Sequence, residues 1–197
     1  MTPYENADKI ADILDEQIIE LFAKLKGLLS FDELNVFNSV NSVYEEVIEQ
    51  VRLAYLLLAR KIYKQNRILS DLESLSEQWV DALLESYDAT TKVVFINELE
   101  RRFDRLKEAM IGSPTPLQEI DNALKGIALV IRNFTIRVED EAFLQAAKDD
   151  GVVLIQWIAE LDNRTCHICE DRDMEIYKLQ DLPPKPHINC RCHFRRV

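Results

Sequence analysis

Residues 157–192 read W-I-A-E-L-D-N-R-T-C-H-I-C-E-D-R-D-M-E-I-Y-K-L-Q-D-L-P-P-K-P-H-I-N-C-R-C. All four cysteines of the 197-residue chain lie here, and none precedes Cys166. Cys166 and Cys169 form a C-x2-C pair. After 17 intervening residues, His187, Cys190 and Cys192 form H-x2-C-x-C. Each close-spaced pair spans one tight turn, and the loop between them can close a tetrahedron, the layout of a structural zinc site. Five donors compete for four places. Cys166, Cys169 and Cys190 are the favoured three, with His187 or Cys192 completing the set and His167 and His193 as spares.

The flanking residues place the cluster in a small α+β module. Val152 to Leu161 is rich in β-branched and aromatic residues and too short for a long helix, so it reads as a strand. Met174 to Leu179 alternates in polarity and reads as a second, pairing strand, with the C-x2-C turn between the two. Leu182-Pro-Pro-Lys-Pro186 is a stiff, extended lead into the second ligand group. Two short strands bury too little apolar surface to fold alone. A zinc ion, releasing on the order of 10–16 kcal/mol in small domains, would supply the difference.

Upstream, the chain reads as a helical body. Ile10, Ile13, Leu14, Ile18, Leu21, Phe22 and Leu25 recur at spacings of three and four, one face of a helix that Gly27 and Ser30 end. Ser30 to Glu33 is a capping box opening a long helix that carries Phe37, Val40, Val43, Tyr44, Val47, Ile48, Val51, Leu53 to Leu58 and Ile62. A second capping box, Ser70 to Glu73, opens a helix with Leu72, Leu75, Trp79, Leu83 and Leu84. Another helix covers Thr91 to Met110 and ends at Gly112. Ser113-Pro-Thr-Pro116 is the clearest break, with Thr115 as N-cap and Pro116 at the first helical position. The helix that follows runs to about Asp149 and stops at Gly151, with an interruption near Asn133 to Thr135. The expected fold is therefore mainly α: a long-helix body over 1–112, then an α+β module over 113–197 made of a long helix, short strands and a structural zinc site.

Composition agrees with this class. The chain is 47% hydrophobic and 30% charged, with 4 Gly and 6 Pro, which suits a folded helical protein rather than a disordered one. Of the net charge of −11, the acidic excess lies in residues 1–160 (29 acidic, 17 basic); residues 161–197 are nearly balanced (6 and 7). An acidic body argues against broad binding to a phosphate backbone. The tail Arg191-Cys-His-Phe-Arg-Arg-Val197 offers DNA or an acidic partner a local contact; solvated charge at a chain end is its simpler reading. No secretory signal opens the sequence, and Leu53 to Leu58 falls far short of the ~20 apolar residues of a membrane span. The chain is expected in a reducing cytoplasm, where clustered cysteines bind metal more often than they form disulfides.

Three other chemistries fit the cluster less well. Dithiol redox at Cys166-His-Ile-Cys169 needs the first cysteine at a helix N-terminus, and the pair is followed instead by E-D-R-D and a strand. Covalent haem needs histidine directly after the second cysteine, where Glu170 stands. A ββα-metal nuclease, suggested by His187-Ile-Asn189, needs a further helix after His187, and only ten residues follow.

The same residues resemble a known family. W-I-A-E-L-D-N-R-T-C-H-I-C-E-D-R-D followed by L-P-P-K-P-H-I-N-C-R-C is similar to the C-terminal domain of phage minor head proteins, the Mu F-like head morphogenesis family. Trp157, Asp162, Arg164, Thr165, Cys166, Cys169, Asp173, Pro186, His187, Asn189, Cys190, Arg191 and Cys192 carry the likeness. The segment I-R-N-F-T-I-R-V-E-D-E-A and A-A-K-D-D-G fit the helix that precedes the strand, so the resemblance covers roughly 120–197. Where the family has Asp-Gly after the C-x2-C, this chain has Asp173-Met174.

The resemblance implies a non-enzymatic virion component in few copies. It would sit inside the head near the portal, assemble in the bacterial cytoplasm with portal or capsid proteins, and take part in DNA packaging or exit. It implies no small-molecule substrate and no membrane. Arg164 and Arg191 would orient the ligand loops through carbonyls or Asp162. The alternative is a metal-dependent nuclease or toxin-type effector with a head-protein-like domain, using Asp162, Asp173, His187 and His193 around the metal.

Overall fold

The computed structural model describes residues 4–28, 33–68, 74–188 and 190–197. The chain begins with two long helices, α1 (Glu5–Leu28) and α2 (Glu33–Asn66). The α1 face read from the sequence splits by burial. Leu14, Ile18, Leu21, Phe22 and Leu25 are enclosed, whereas Ile13 is half exposed. Of the two capping boxes, Ser30 and the whole of Ser70 to Glu73 lie outside the described residues.

The next helix, α3 (Glu77–Glu85), starts later than expected. Its N-cap is Ser76, whose hydroxyl accepts the Trp79 amide at 3.2 Å. Leu75 stays outside the helix, buried, its carbonyl accepting Arg60 Nε at 2.8 Å. A hairpin that the sequence reading missed follows: β1 (Tyr87–Asp88) pairs antiparallel with β2 (Val93–Val94). Asp88 causes it. Its carboxylate accepts the Thr90 amide at 2.9 Å and the Thr91 hydroxyl at 2.6 Å, tying residues 88–91 into a turn. The helix expected from Thr91 is therefore delayed to α4 (Phe95–Gly112).

After Pro116 comes α5 (Pro116–Asp149), 34 residues without interruption. The break expected at Asn133 to Thr135 does not occur. Thr135 is fully buried and its hydroxyl donates to the Ile131 carbonyl one turn back, at 2.8 Å, so a residue of poor helix propensity is kept in the helix by its surroundings. The helix ends in a Schellman turn: Val152 N donates to Ala147 O at 2.9 Å and Gly151 N to Lys148 O at 3.0 Å. Gly151 sits at φ 74°, the left-handed conformation this cap requires.

α5 packs against α1, α2 and α4 and contributes Ile120, Ile127, Ile131, Phe134, Val138, Ala142 and Ala146 to their shared core. Phe95 and Phe134 stack with ring centroids 4.4 Å apart, and Phe103 meets Tyr44 edge-on at 5.2 Å. α5 thus shares its apolar core with the preceding helices, while the buried residues around Trp157 form a second, separate cluster. Among the described residues no helix is long and apolar enough to cross a membrane.

Beyond Gly151 a three-stranded antiparallel sheet forms, in the order β4-β3-β5. β3 (Leu154–Ile158) is central; β4 (Ile176–Lys178) pairs Tyr177 with Ile155, and β5 (His193–Arg196) pairs Phe194 with Trp157. The first two strands are those expected. The third is the basic tail, whose arginines are paired as well as solvated: Arg195 stays exposed. Arg195 Nε donates to Gln156 Oε1 at 3.0 Å, and Arg196 Nη1 to Asp150 Oδ2 at 2.7 Å. Asp150, at the end of α5, also lies 2.9 Å from Arg67 Nε and accepts the Ile68 amide at 2.9 Å. Burial alone would raise the Asp150 carboxyl; the Ile68 amide with Arg196 and Arg67 outweighs it and holds it below its ordinary value.

Candidate metal centre

The module is built around Trp157, which is fully buried on β3. Its indole meets Phe194 edge-on at 5.4 Å, and the Arg172 guanidinium lies 5.0 Å over the ring. The rest of the enclosed cluster is Ala159, Cys169, Cys190 and Cys192, with Cys166, Tyr177, Leu182 and Phe194 at its margin. Where a domain of this size would carry leucines and isoleucines, this one carries thiols.

Two turns deliver the donors. In the first, Asp162 Oδ1 accepts the Arg164 amide at 2.9 Å, and Thr165 Oγ1 accepts the Asp162 amide at 2.9 Å. This turn leads into a single-turn helix, α6 (His167–Asp171), with Cys166 as N-cap. The amides of Cys169 and Glu170 return to the Cys166 carbonyl at 2.9 and 3.0 Å. Asp173 closes the segment by accepting the Ala159 amide at 2.8 Å. Met174 follows at φ 64°, in the left-handed region that favours glycine.

The second turn follows a 3-10 turn over Leu179–Asp181 and the proline-rich lead. Arg172 Nη1 holds that lead through the Pro184 carbonyl at 2.9 Å. Arg191, between Cys190 and Cys192, donates to Asp162 Oδ1. One carboxylate therefore organises the approach to Cys166 and also fastens the Cys190–Cys192 turn. Arg191 thus makes the contact with Asp162 that the sequence suggests. At Arg164 the ordering contact is its backbone amide, and the residue is exposed. Asn189 lies outside the described residues.

All five sequence-level donors converge. Cys166, Cys169 and His187 have ligand atoms within 4.8 Å of one another, as do Cys169, Cys190 and Cys192. Cys169 Sγ is common to both groups, 3.6 Å from Cys190 Sγ and 3.7 Å from His187 Nε2. Metal–sulfur bonds of about 2.3 Å at tetrahedral angles place sulfurs about 3.8 Å apart, and the two distances at Cys169 match that spacing within two overlapping sets of three donors. His167 and His193 are in neither group. His193 instead lies 4.0 Å from Glu160, its pKa lowered by burial.

Three further observations fit a bound cation. His187 Nδ1 lies 2.9 Å from the Ile188 carbonyl, which fixes the proton there and leaves Nε2 free to face Cys169, as metal-ligating imidazoles are held. The thiols titrate apart: hydrogen bonding from Cys190 draws Cys192 down to about 6, burial pushes Cys169 up to about 12, and Cys190 is raised further. Crowded thiols cannot all ionise without a counter-charge, and a divalent cation would supply one. Finally, the buried Trp157 Nε1–H has no conventional acceptor and acts on Cys192, whose thiolate it would stabilise. The cluster can hold a metal ion.

The dithiol reading needs one correction. A helix does follow Cys166, which caps it, and hydrogen bonds from Cys169 and His187 outweigh burial to hold the Cys166 thiol below its ordinary value. The helix is only five residues long. What sets the pair apart from a free dithiol is the partner of Cys169, which is buried against Cys190 and His187.

A cavity of about 310 Å³ adjoins the cluster, lined by His187, Cys190, Asp140, Glu141, Lys185 and Arg137 among others. Sequence reasoning missed Asp140 and Glu141, which lie on α5 within an ordinary-looking charge run. Burial raises the carboxyls of both Asp140 and Glu141, and Lys185 opposes it at Asp140. No protein-family model, curated protein or solved structure matches this chain.

Proposed function

We propose that the chain is a structural minor head protein of a tailed phage or prophage, non-enzymatic, whose C-terminal module is stapled by zinc. It would act inside the head, at or near the portal, in procapsid assembly, with a part in DNA packaging or exit. The observation that supports this best is the convergence of C-x2-C and H-x2-C-x-C, clasped by Asp162 and Arg191, in the sequence context that resembles the head morphogenesis family. Zinc suits thiolate and imidazole donors and needs no redox partner. In this reading Cys166, Cys169, His187, Cys190 and Cys192 hold the fold, and the partner surface lies on the helices.

The basic tail is a weaker candidate for DNA. Arg195 and Arg196 are engaged by Gln156 and Asp150, which leaves the phosphate-binding role to residues with less free charge than the sequence offers. The test is co-expression of the full chain with the portal and capsid proteins encoded beside it, followed by isolation of portal rings and procapsids. Co-isolation with the portal supports the reading; absence from both assemblies refutes it.

One observation favours a second reading. The 310 Å³ cavity brings His187 and two raised carboxyls together beside the metal cluster, as a hydrolytic effector would need. Nuclease activity that disappears in His187→Ala while zinc stays bound would favour it over the head-protein reading.

A further inference from the structure

The second ligand turn is fastened to the helical body by a buried polar junction. Lys185, in the proline-rich lead two residues before His187, places Nζ 2.5 Å from Asp140 Oδ2 on α5. The same ammonium donates to the Tyr4 hydroxyl and lies 4.3 Å over the Tyr4 ring and 5.6 Å over that of Phe194. Tyr4 directly precedes α1. Its hydroxyl lies 2.8 Å from Asp140 Oδ1 and 2.5 Å from the backbone carbonyl of Cys192. Lys185 and Asp140 are 10% and 14% exposed at their side chains, and Tyr4 is 7% exposed, so water competes little for these groups. The Thr90 hydroxyl donates to the Lys185 carbonyl at 3.0 Å, and Glu139 Oε2 accepts the Ala7 amide at 2.8 Å.

This junction has a direction. From Tyr4 the hydrogen bonds run to the backbone of Cys192, a candidate ligand, and through Lys185 to the segment entering His187. The metal cluster and the start of α1 are thus separated by one shell of atoms, although residues 4 and 192 are 188 positions apart. A ligand turn held at both ends loses less freedom when metal binds, which is how groups behind the ligands raise metal affinity.

Resting on the reading of the cluster as a metal centre, we infer that Tyr4 and Lys185 are positioning residues of that centre, so that metal binding and docking of the start of α1 on α5 reinforce each other. By thermodynamic linkage the effect is reciprocal: whatever detaches Tyr4 weakens the metal, and loss of metal loosens the first turns of α1. A partner that seized the start of α1 would act on the metal centre without touching a ligand.

The experiment uses the full chain, with zinc affinity measured by chelator competition and amide hydrogen exchange followed with and without chelator. Tyr4→Phe keeps the ring and removes only the hydroxyl; Lys185→Met removes the charge and keeps the stem. Each is expected to weaken zinc on the order of tenfold. In the unaltered chain, chelation should raise exchange over residues 5–12, and in Tyr4→Phe that region should exchange fast whether or not zinc is bound. Phe103→Ala, a body-core change remote from the junction, should leave zinc affinity unchanged. Zinc bound with unaltered affinity by both variants, or α1 exchange indifferent to chelation, overturns the coupling alone. A chain that binds no zinc overturns the coupling together with the metal reading.

Discussion

Removal of metal should unfasten the C-terminal module and leave the helical bundle standing. The asymmetry follows from what each core contains. The bundle core spans four long helices, from Leu14 and Phe22 on α1 to Ile131 and Val138 on α5. The module encloses Ile155, Trp157, Ala159 and three cysteines. Burying a tryptophan removes up to about 250 Å² from water, worth about 6 kcal/mol at 25 cal/mol per Å². A structural zinc contributes on the order of 10–16 kcal/mol, so on the proposed reading metal would supply most of what orders the module. The chain carries two tryptophans, Trp79 on α3 and Trp157 at the cluster, so Trp79→Phe leaves a single emitter inside the module. In that variant, chelation should shift tryptophan emission to the red and expose the indole to quencher. Helical circular dichroism should fall only slightly, because the long helices lie outside the module. Emission from Trp157 that stays blue and protected after the metal is gone would refute the reasoning, since the sheet and thiols would then suffice.

Further outcomes follow from single residues. Met174 is 53% exposed at φ 64°, so Met174→Gly should relieve backbone strain and stabilise the module by about 1 kcal/mol, read by chemical denaturation of the zinc-loaded chain. Arg191→Ala removes the clasp on Asp162 and should lower zinc affinity by about 10–100-fold in chelator competition, with no change in the bundle's helical signal. Asp150, whose folded-state pKa is held below its ordinary 3.8, stabilises the fold above that pH and loses the contribution as pH falls through its folded value. The melting temperature of Asp150→Asn should therefore lie below that of the unaltered chain at pH 6, and the gap should narrow below about pH 4. A gap that widens on acidification would contradict the sign.

Much of this architecture was legible in the sequence because it is local. The apolar repeat of α1, the Ser113–Pro116 break, the alternation of Ile176 to Lys178 and the spacing of five donors depend on neighbours within a turn or a strand. Donor convergence needed only one further premise, that C-x2-C and C-x-C turns face each other. What escaped was set by distant partners. Thr135 stays helical because its side chain is enclosed by the bundle and bonded to Ile131. The tail becomes a strand because β3 offers it an edge, with Gln156 and Asp150 to receive its arginines. The hairpin at 87–94 depends on Asp88 acting on Thr90 and Thr91, a turn signal overlooked beside the apolar residues that follow. Lys185 alone among prolines was the visible trace of the junction, and its partners at 4 and 140 have no signature of their own.

The bond from Tyr4 to the Cys192 carbonyl also sets an order of events in synthesis. At about 5–20 residues per second, the 188 positions between them take roughly 10–40 s to translate. Over that interval the first turn of α1 exists without Asp140, Lys185 or Cys192 to hold it, while the faces of α1 and α2 can already meet. The first turn of α1 thus lacks these partners until the ligand turn emerges, which ties its docking in time to assembly of the cysteine cluster.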